Sequence, residues 1–145
     1  MHAPLDPSLA VDFCGLRLAS PLVLLSGCVG FGEEYTRVEG FSNRDVGAIV
    51  LKGTTREPRL GNPAHRVYET PMGMLNAIGL QNPGADYVID QILPTLDFTE
   101  TAFFANVCGS TIEDYVEVTR RFDESPIDAI ELNISCPNIK EGGVQ

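Results

Sequence analysis

Histidine is nearly absent from this chain of 145 residues, with only His2 and His65 present. The four cysteines, Cys14, Cys28, Cys108 and Cys136, are widely spaced and form no Cys-x-x-Cys pair. Zinc and iron–sulfur sites draw closely spaced ligands of these two types, so a metal centre made by this chain alone is not expected. Long apolar runs are missing too. The longest stretches are short, such as residues 21–25 and 48–51, far below the roughly 20 residues a spanning helix needs. Residues 1–10 carry His2 and Asp6 but no basic start followed by an apolar core, so no secretory signal is expected. A reducing cytoplasmic setting, without disulfides, is the default that follows. Positive charge is scarce: 10 Lys and Arg against 20 Asp and Glu give a net charge of −10. Nucleic-acid binding needs clustered Lys and Arg, and these are scattered. The acidity reads as a solvated surface.

What the chain does contain is the balance of a folded soluble protein, 43% apolar and 21% charged residues. Its length suits one domain. Residues 11–18 alternate in character around Gly15 and predict a small β-hairpin. Short apolar runs then recur, each ending in polar or small residues. Residues 21–25 end in Ser26-Gly27, residues 48–51 in Lys52-Gly-Thr-Thr55, residues 102–105 in Asn106, and residues 129–132 in Asn133. Helices are expected between them. Residues 33–41 suit a first one, and residues 85–96 place Tyr87, Ile89, Ile92, Leu93 and Leu96 at helical spacings. The clearest is 111–122, capped by Ser110 or Thr111, with Glu113 and Asp114 in its first turn and Arg120 and Arg121 in its last. Its expected inward stripe is Ile112, Tyr115, Val116, Thr119 and Phe122.

Apolar strands alternating with amphipathic helices predict an α/β fold with a parallel sheet. Two architectures compete, a doubly wound open sheet and a (β/α)₈ TIM barrel, and both put binding residues at the carboxyl ends of the strands. After the first strand, Ser26-Gly-Cys-Val-Gly-Phe-Gly32 is glycine-rich but lacks the G-x-G-x-x-G dinucleotide fingerprint, which favours the barrel. A whole barrel takes about 250 residues. The expectation is therefore an N-terminal half-barrel of about four β/α units plus the hairpin, with residues 1–145 forming a single partial domain.

Residues 54–84 form a long connection that mixes turn-formers (Gly61, Pro63, Pro71, Gly73, Gly79, Pro83) with Val67, Tyr68, Met72, Met74, Leu75, Ile78 and Leu80. Such loops are usually functional, and this one is expected to pack over the barrel mouth. Several residues could carry chemistry. Lys52 is the only basic residue at an expected strand end, either facing an anionic or electron-rich ligand or else snorkelling to solvent or pairing with a carboxylate. Asn133-Ile-Ser-Cys-Pro-Asn138 follows the last run; its amides suit a flat, amide-rich ligand. Cys136 there is either an activated thiol or a small buried residue. Asn76 and Asn106 could equally be turn residues bonding their own backbone. Cys14, Cys28 and Cys108 read as packing residues and His65 as a surface residue.

Six stretches together resemble the class 1 dihydroorotate dehydrogenases: Ser26-Gly-Cys-Val-Gly-Phe-Gly-Glu-Glu-Tyr35, Lys52-Gly-Thr-Thr55, Gly61-Asn-Pro63, Gly73-Met-Leu-Asn-Ala-Ile-Gly-Leu-Gln-Asn-Pro-Gly84, Ala105-Asn-Val107 and Glu131-Leu-Asn-Ile-Ser-Cys-Pro-Asn138. The likeness runs from about Val11 onward. It implies a (β/α)₈ barrel holding FMN at its mouth and oxidising dihydroorotate to orotate in pyrimidine (UMP) biosynthesis. By this resemblance Cys136 is the base that takes the C5 proton. Lys52 bridges flavin and substrate. Asn76, Ile78, Gly79 and Leu80 match the substrate loop, and Asn133 and Asn138 join them. Ser26, Lys52, Gly53, Asn106 and Asn133 match flavin-contacting positions.

Gly53 departs from the alanine or serine of the family pattern, a change expected to be tolerated, and a couple of residues around 41–45 are extra. The Gly-Phe-Gly-Glu-Glu-Tyr stretch and the long Asn76 loop resemble subtype B, which implies a partner subunit carrying FAD and an iron–sulfur cluster and passing electrons to NAD⁺. The full-length form would then be a homodimer or heterotetramer. The isolated 145 residues are expected to bind FMN poorly. Two other readings compete: a dihydropyrimidine dehydrogenase-type reductase, against which Asn138 stands where a histidine would be expected, and a non-catalytic truncated half-barrel.

Overall fold

The computed structural model describes residues 5–135. β1 (Val11–Phe13) and β2 (Leu16–Leu18) pair antiparallel, Val11 opposite Leu18. Their turn holds Cys14 at φ 53° and Gly15 at φ 86°. Left-handed backbone at both turn positions matches the twist of the flanking strands. Asp12 Oδ1 accepts the Gly15 N–H at 3.1 Å. Cys14 is exposed at this turn rather than packed, because the tight connection turns it outward.

Next come β3 (Val23–Leu24) and β4 (Ala48–Val50), then a second hairpin of β5 (Val67–Thr70) and β6 (Gly73–Asn76), then β7 (Ala102–Val107) and β8 (Ala129–Leu132). β3, β4, β7 and β8 form one parallel sheet in that order, with Ala48 opposite Val23 and Ala102, and Phe104 opposite Ala129. Each of the four apolar runs thus contains a strand. β4 is buried throughout and β7 almost so, as expected for central strands covered on both faces.

Period-two alternation divides the strands between two clusters. Ile49, Leu51, Phe103, Ala105 and Val107 pack with Val88, Leu93, Val118 and Phe122 of the helical layer. Ala48, Val50 and Phe104 face the other way, packing with Leu18 and the half-buried Val11, Val23, Ala102 and Ala129. Phe13 stacks on Phe104 with ring centroids 6.1 Å apart, so the first hairpin plugs this inner face at the amino ends of the strands.

The helical layer differs from the sequence expectation in three places. Residues 33–41 do not form a helix. A single 3₁₀ turn, Tyr35–Arg37, lies between Gly32 and Gly40, both at left-handed φ, and β-branched Thr36 and Val38 add little helix propensity. Residues 85–96 start as α1 (Ala85–Tyr87), widen into a π turn, Val88–Ile92, and tighten into a 3₁₀ turn, Leu93–Thr95. Pro94 explains the widening: it has no N–H, and its ring would strike the carbonyl one α-turn earlier. The remaining helix, α2 (Ile112–Asp123), forms as expected, with Thr111 and Asp114 capping reciprocally. Its inward stripe is rotated, however. Val118 and Phe122 are buried with Tyr115 beside them, while Ile112 and Val116 point to solvent at 78% and 51% exposure.

Candidate functional site

The inner face changes character within two residues on three of the four strands, β4, β7 and β8. Above Val50 comes Lys52, above Phe104 comes Asn106, and above Ala129 come Glu131 and Asn133, all with the parity of the inner cluster. These carboxyl ends, the β5–β6 hairpin and residues 78–80 surround a cavity of about 880 Å³.

Ser26, Lys52, Gly53, Asn76, Ile78, Gly79, Leu80, Asn106 and Asn133, expected at a site from sequence, all line this cavity. Cys136 and Asn138 lie outside the described residues. Ser135, which precedes Cys136, lines the cavity too.

A β-carbon on Gly27 would lie 3.9 Å from the Lys52 ammonium, so the cation sits over bare backbone. Among the described residues no carboxylate forms an ion pair with Lys52. A cation with no carboxylate partner among the described residues, at an open cavity, suits an anionic or electron-rich ligand.

The asparagines are tied together. Asn106 is buried, its Nδ2 donates to Glu131 Oε1, and its Oδ1 accepts from Asn133 Nδ2 at 3.2 Å and from Cys108 Sγ at 3.4 Å. Asn133 Oδ1 in turn accepts the Ser135 N–H at 3.3 Å, while the Asn133 carbonyl accepts from the Tyr115 hydroxyl at 2.5 Å. Tyr115 of α2 thereby holds the segment after β8 in place. A β-carbon on Gly53 would lie 2.8 Å from Asn106 Oδ1 and 2.9 Å from both Cys108 Sγ and Leu80 Cδ1. Its neighbours thus occupy the space that an alanine side chain would need.

The long connection is a folded arm, not an irregular loop. β5 and β6 pair antiparallel with Val67 opposite Asn76. Val67, Met74 and Asn76 share the face that lines the cavity, and Tyr68 and Leu75 lie on the alternate one; both faces of the hairpin are exposed. Gly79 at φ 76° and Leu80 at φ 57° turn the chain beside the cavity. Left-handed Leu80 is strained, and it is held by Asn82, whose Nδ2 donates to the Leu80 carbonyl at 2.9 Å. Asn82 Oδ1 accepts from the backbone of Thr55 at 3.1 Å and of Gly84 at 3.0 Å, tying this loop to the end of β4. Arg66 braces it from outside through the Leu60 and Asn62 carbonyls at 3.1 Å each.

Sequence reasoning missed several of these residues. Glu131 lies inside the run 129–132, which reads only as an apolar strand; its parity with Asn133 was the available signal. Cys28, expected to pack, is exposed and lines the cavity because the backbone turns there, with the Cys28 N–H bonded to the Leu25 carbonyl. Asn82 sits in the turn-rich Asn-Pro-Gly84 stretch, and nothing local signals the bonds its side chain makes to Thr55, Leu80 and Gly84. His65 is exposed, as expected.

A fixed cation, two ordered carboxamides, a carboxylate and an apolar wall of Leu25, Ile78 and Leu80 can hold a flat, polar heterocycle and stabilise negative charge on it. Comparison with known proteins gives a consistent picture. The family model described as dihydroorotate dehydrogenase matches residues 8–145. The chain is 54% identical over 137 residues to the dihydroorotate dehydrogenase B (NAD(+)) catalytic subunit of Geobacillus kaustophilus, covering 94% of this chain and 43% of that protein. It is 55% identical to the Listeria welshimeri protein of the same name, with 94% and 44% covered. The chain therefore spans less than half the length of these relatives. In fold it is similar to the ligand-free dihydroorotate dehydrogenase of Eimeria tenella, with TM-score 0.69, 23% identity, and 94% of this chain and 40% of that one covered. The ferulenol complex of that enzyme gives TM-score 0.68 at the same identity, with 94% and 39% covered.

Proposed function

We infer the function from one premise: the chain belongs to the dihydroorotate dehydrogenase family. We propose that residues 1–145 are the N-terminal half of an FMN-binding (β/α)₈ barrel that oxidises dihydroorotate to orotate in pyrimidine biosynthesis. The observation that carries this reading is convergence: nine residues from five separate segments of sequence line one cavity at the carboxyl ends of parallel strands. The half-barrel reading is supported by four consecutive parallel strands whose outer members, β3 and β8, have no further sheet partner among the described residues.

The residues suit a flavin. The cavity volume falls within the usual range for small-molecule and cofactor sites, about 300–1,000 Å³. Gly27 and Gly53 leave backbone bare beside Lys52 and Asn106, and the carboxamides supply donors and acceptors of the kind an isoalloxazine edge requires. Ser26, Lys52, Gly53, Asn106 and Asn133 would hold the cofactor. When bound, FMN supplies the two-electron hydride acceptor.

The chain's own residues do the rest. Converting the C5–C6 single bond to a double bond requires loss of a proton from C5 and of hydride from C6. Cys136, next in sequence to the cavity-lining Ser135, takes the C5 proton. Lys52 stabilises negative charge arriving on the cofactor and orients the substrate. Asn76, Asn133 and Asn138 hydrogen-bond the pyrimidine ring and carboxylate, and Ile78, Gly79 and Leu80 close over it and exclude water. Electrons leave through a second subunit carrying FAD and an iron–sulfur cluster to NAD⁺; the high identity to proteins named as NAD-linked catalytic subunits supports this arrangement.

The test uses the full-length flavoprotein. Dihydroorotate should bleach the flavin anaerobically, and dihydrouracil should not. Cys136→Ala should lower the bleaching rate about 10²- to 10⁴-fold near neutral pH, with Cys136→Ser less severe at high pH. Undiminished turnover in Cys136→Ala would remove the assigned base, and bleaching by dihydrouracil alone would replace the substrate.

A further inference from the structure

Asn106 and Glu131 are direct partners across β7 and β8, and Asn133 follows on the same face. Their hydrogen bonds run in one direction. The Ser135 N–H donates to Asn133 Oδ1, Asn133 Nδ2 donates to Asn106 Oδ1, and Asn106 Nδ2 donates to Glu131 Oε1. A carboxamide can be turned end for end with little change in shape, so its oxygen and nitrogen are ordered only by what they face. An ionised carboxylate only accepts. With Glu131 at one end, Asn106 must point its nitrogen at the carboxylate and its oxygen at Asn133. Asn133 must then answer with its own nitrogen. Cys108 Sγ, 3.4 Å from Asn106 Oδ1, agrees with this order as a weak donor. The second N–H of the Asn133 amide is spent on none of the described residues, and Asn133 lines the cavity.

We propose that Glu131 is a positioning residue. Its carboxylate sets the direction of the Asn106 amide and, together with the Ser135 N–H, holds that of Asn133, so that the cavity meets an N–H donor at Asn133 and is complementary to a carbonyl-bearing heterocycle. This rests on the flavin–pyrimidine reading above, though the direction of the amides stands apart from which substrate is turned over. Removing the acceptor frees Asn106 to turn over; its nitrogen then meets the Asn133 nitrogen, which the Ser135 N–H still orients, and this repulsive pairing pushes the Asn133 donor out of place. Bonds in such a chain polarise one another, so the loss spreads beyond the first link.

The experiment compares wild type, Glu131→Leu and Glu131→Gln in the full-length holoprotein and its flavin-stripped form. The readouts are the dissociation constants for FMN and orotate, KM and kcat, and the side-chain amide ¹⁵N resonances of Asn106 and Asn133. Glu131→Leu should weaken FMN or orotate binding by roughly tenfold or more, the scale of one hydrogen bond to a charged group. It should also shift or broaden both amide pairs. Glu131→Gln, which can present either its oxygen or its nitrogen, should weaken binding by a smaller factor, about threefold, and give two sets of Asn106 amide signals.

A purely structural glutamate would lower thermal stability and leave the affinities and amide signals of the folded protein unchanged; that result overturns the proposal. If Glu131→Leu fails to fold, Glu131→Gln decides alone, and a single unshifted amide set refutes the role. Failure of wild type to oxidise dihydroorotate would overturn the functional reading, while the amide signals would still report on Glu131.

Discussion

The inner face of the sheet has two halves built on the same strands with opposite chemistry. At the amino ends, Val23, Ala48, Val50, Ala102, Phe104 and Ala129 are apolar and lie with the β1–β2 hairpin. At the carboxyl ends, two to four residues further along, Lys52, Asn106, Glu131 and Asn133 face an open cavity. One half keeps water out through packed side chains, so it stabilises without offering a ligand anything to recognise. The other gathers polar groups that run from buried Asn106 to exposed Glu131, whose mutual hydrogen bonds offset the cost of burying the inner ones. A parallel sheet thus separates stability from function along the strand axis, and substitutions in the two halves should have separable effects.

The largest effect belongs to the plugged half. Phe104 is 6% exposed and stacks on Phe13. Phe104→Ala should cost about 3–5 kcal/mol of unfolding free energy, read from urea denaturation of the full-length protein. The FMN affinity of the protein that remains folded should stay within about twofold, since the lost ring lies below the polar layer. A variant of normal stability and poor FMN affinity would break the division between the halves.

Gly53→Ala should show the reverse proportions. The added methyl meets Asn106 Oδ1 at 2.8 Å, where the amide is already held by Glu131 and Asn133. Overpacking of this kind costs about 1–3 kcal/mol. Here the strain goes into the ligand-facing amides, so the FMN dissociation constant should rise roughly tenfold. Combining it with Cys108→Ala, which vacates the space at 2.9 Å, should recover part of that loss. Strict additivity of the two changes would mean that the sulfur does not share the crowding.

The same division explains what the sequence made legible. The strands were visible because central parallel strands are continuous apolar runs, and their tips were visible because Lys52, Asn106 and Asn133 interrupt those runs at equivalent points. α2 was visible from its cap at Thr111 and Asp114. The rotation of α2, which buries Val118 and exposes Ile112, depends on the neighbour it meets and leaves no local trace. The π turn before Pro94 replaced an expected regular helix because the steric conflict is with a carbonyl one turn away. Glu131 and Asn82 escaped notice for a related reason. Their partners, Asn106 and Thr55, are 25 and 27 residues distant in sequence, and only the sheet register and the loop closure bring them together.

The smallest effect lies outside both halves, on the helical layer, and serves as a control for them. Arg121 of α2 donates to Asp86 of α1 at 2.7 Å and to Glu117 at 2.9–3.0 Å. The hydrogen bond from Arg121, followed by its charge, holds the Glu117 carboxyl below its ordinary value of 4.5. A carboxyl whose pKa is depressed in the folded state contributes stability that is fully present above its unfolded pKa and is lost as pH falls through the folded one. Arg121→Met should therefore lower the urea midpoint slightly at about pH 7 and leave it nearly unchanged well below pH 4.5, so that the drop between the two conditions shrinks. FMN affinity should not move, because the clamp lies behind the sheet. An acid dependence identical to wild type would mean that solvent already screens the pair, whereas a change in FMN binding would show that the helical layer reaches through the strands to the amides at the cavity.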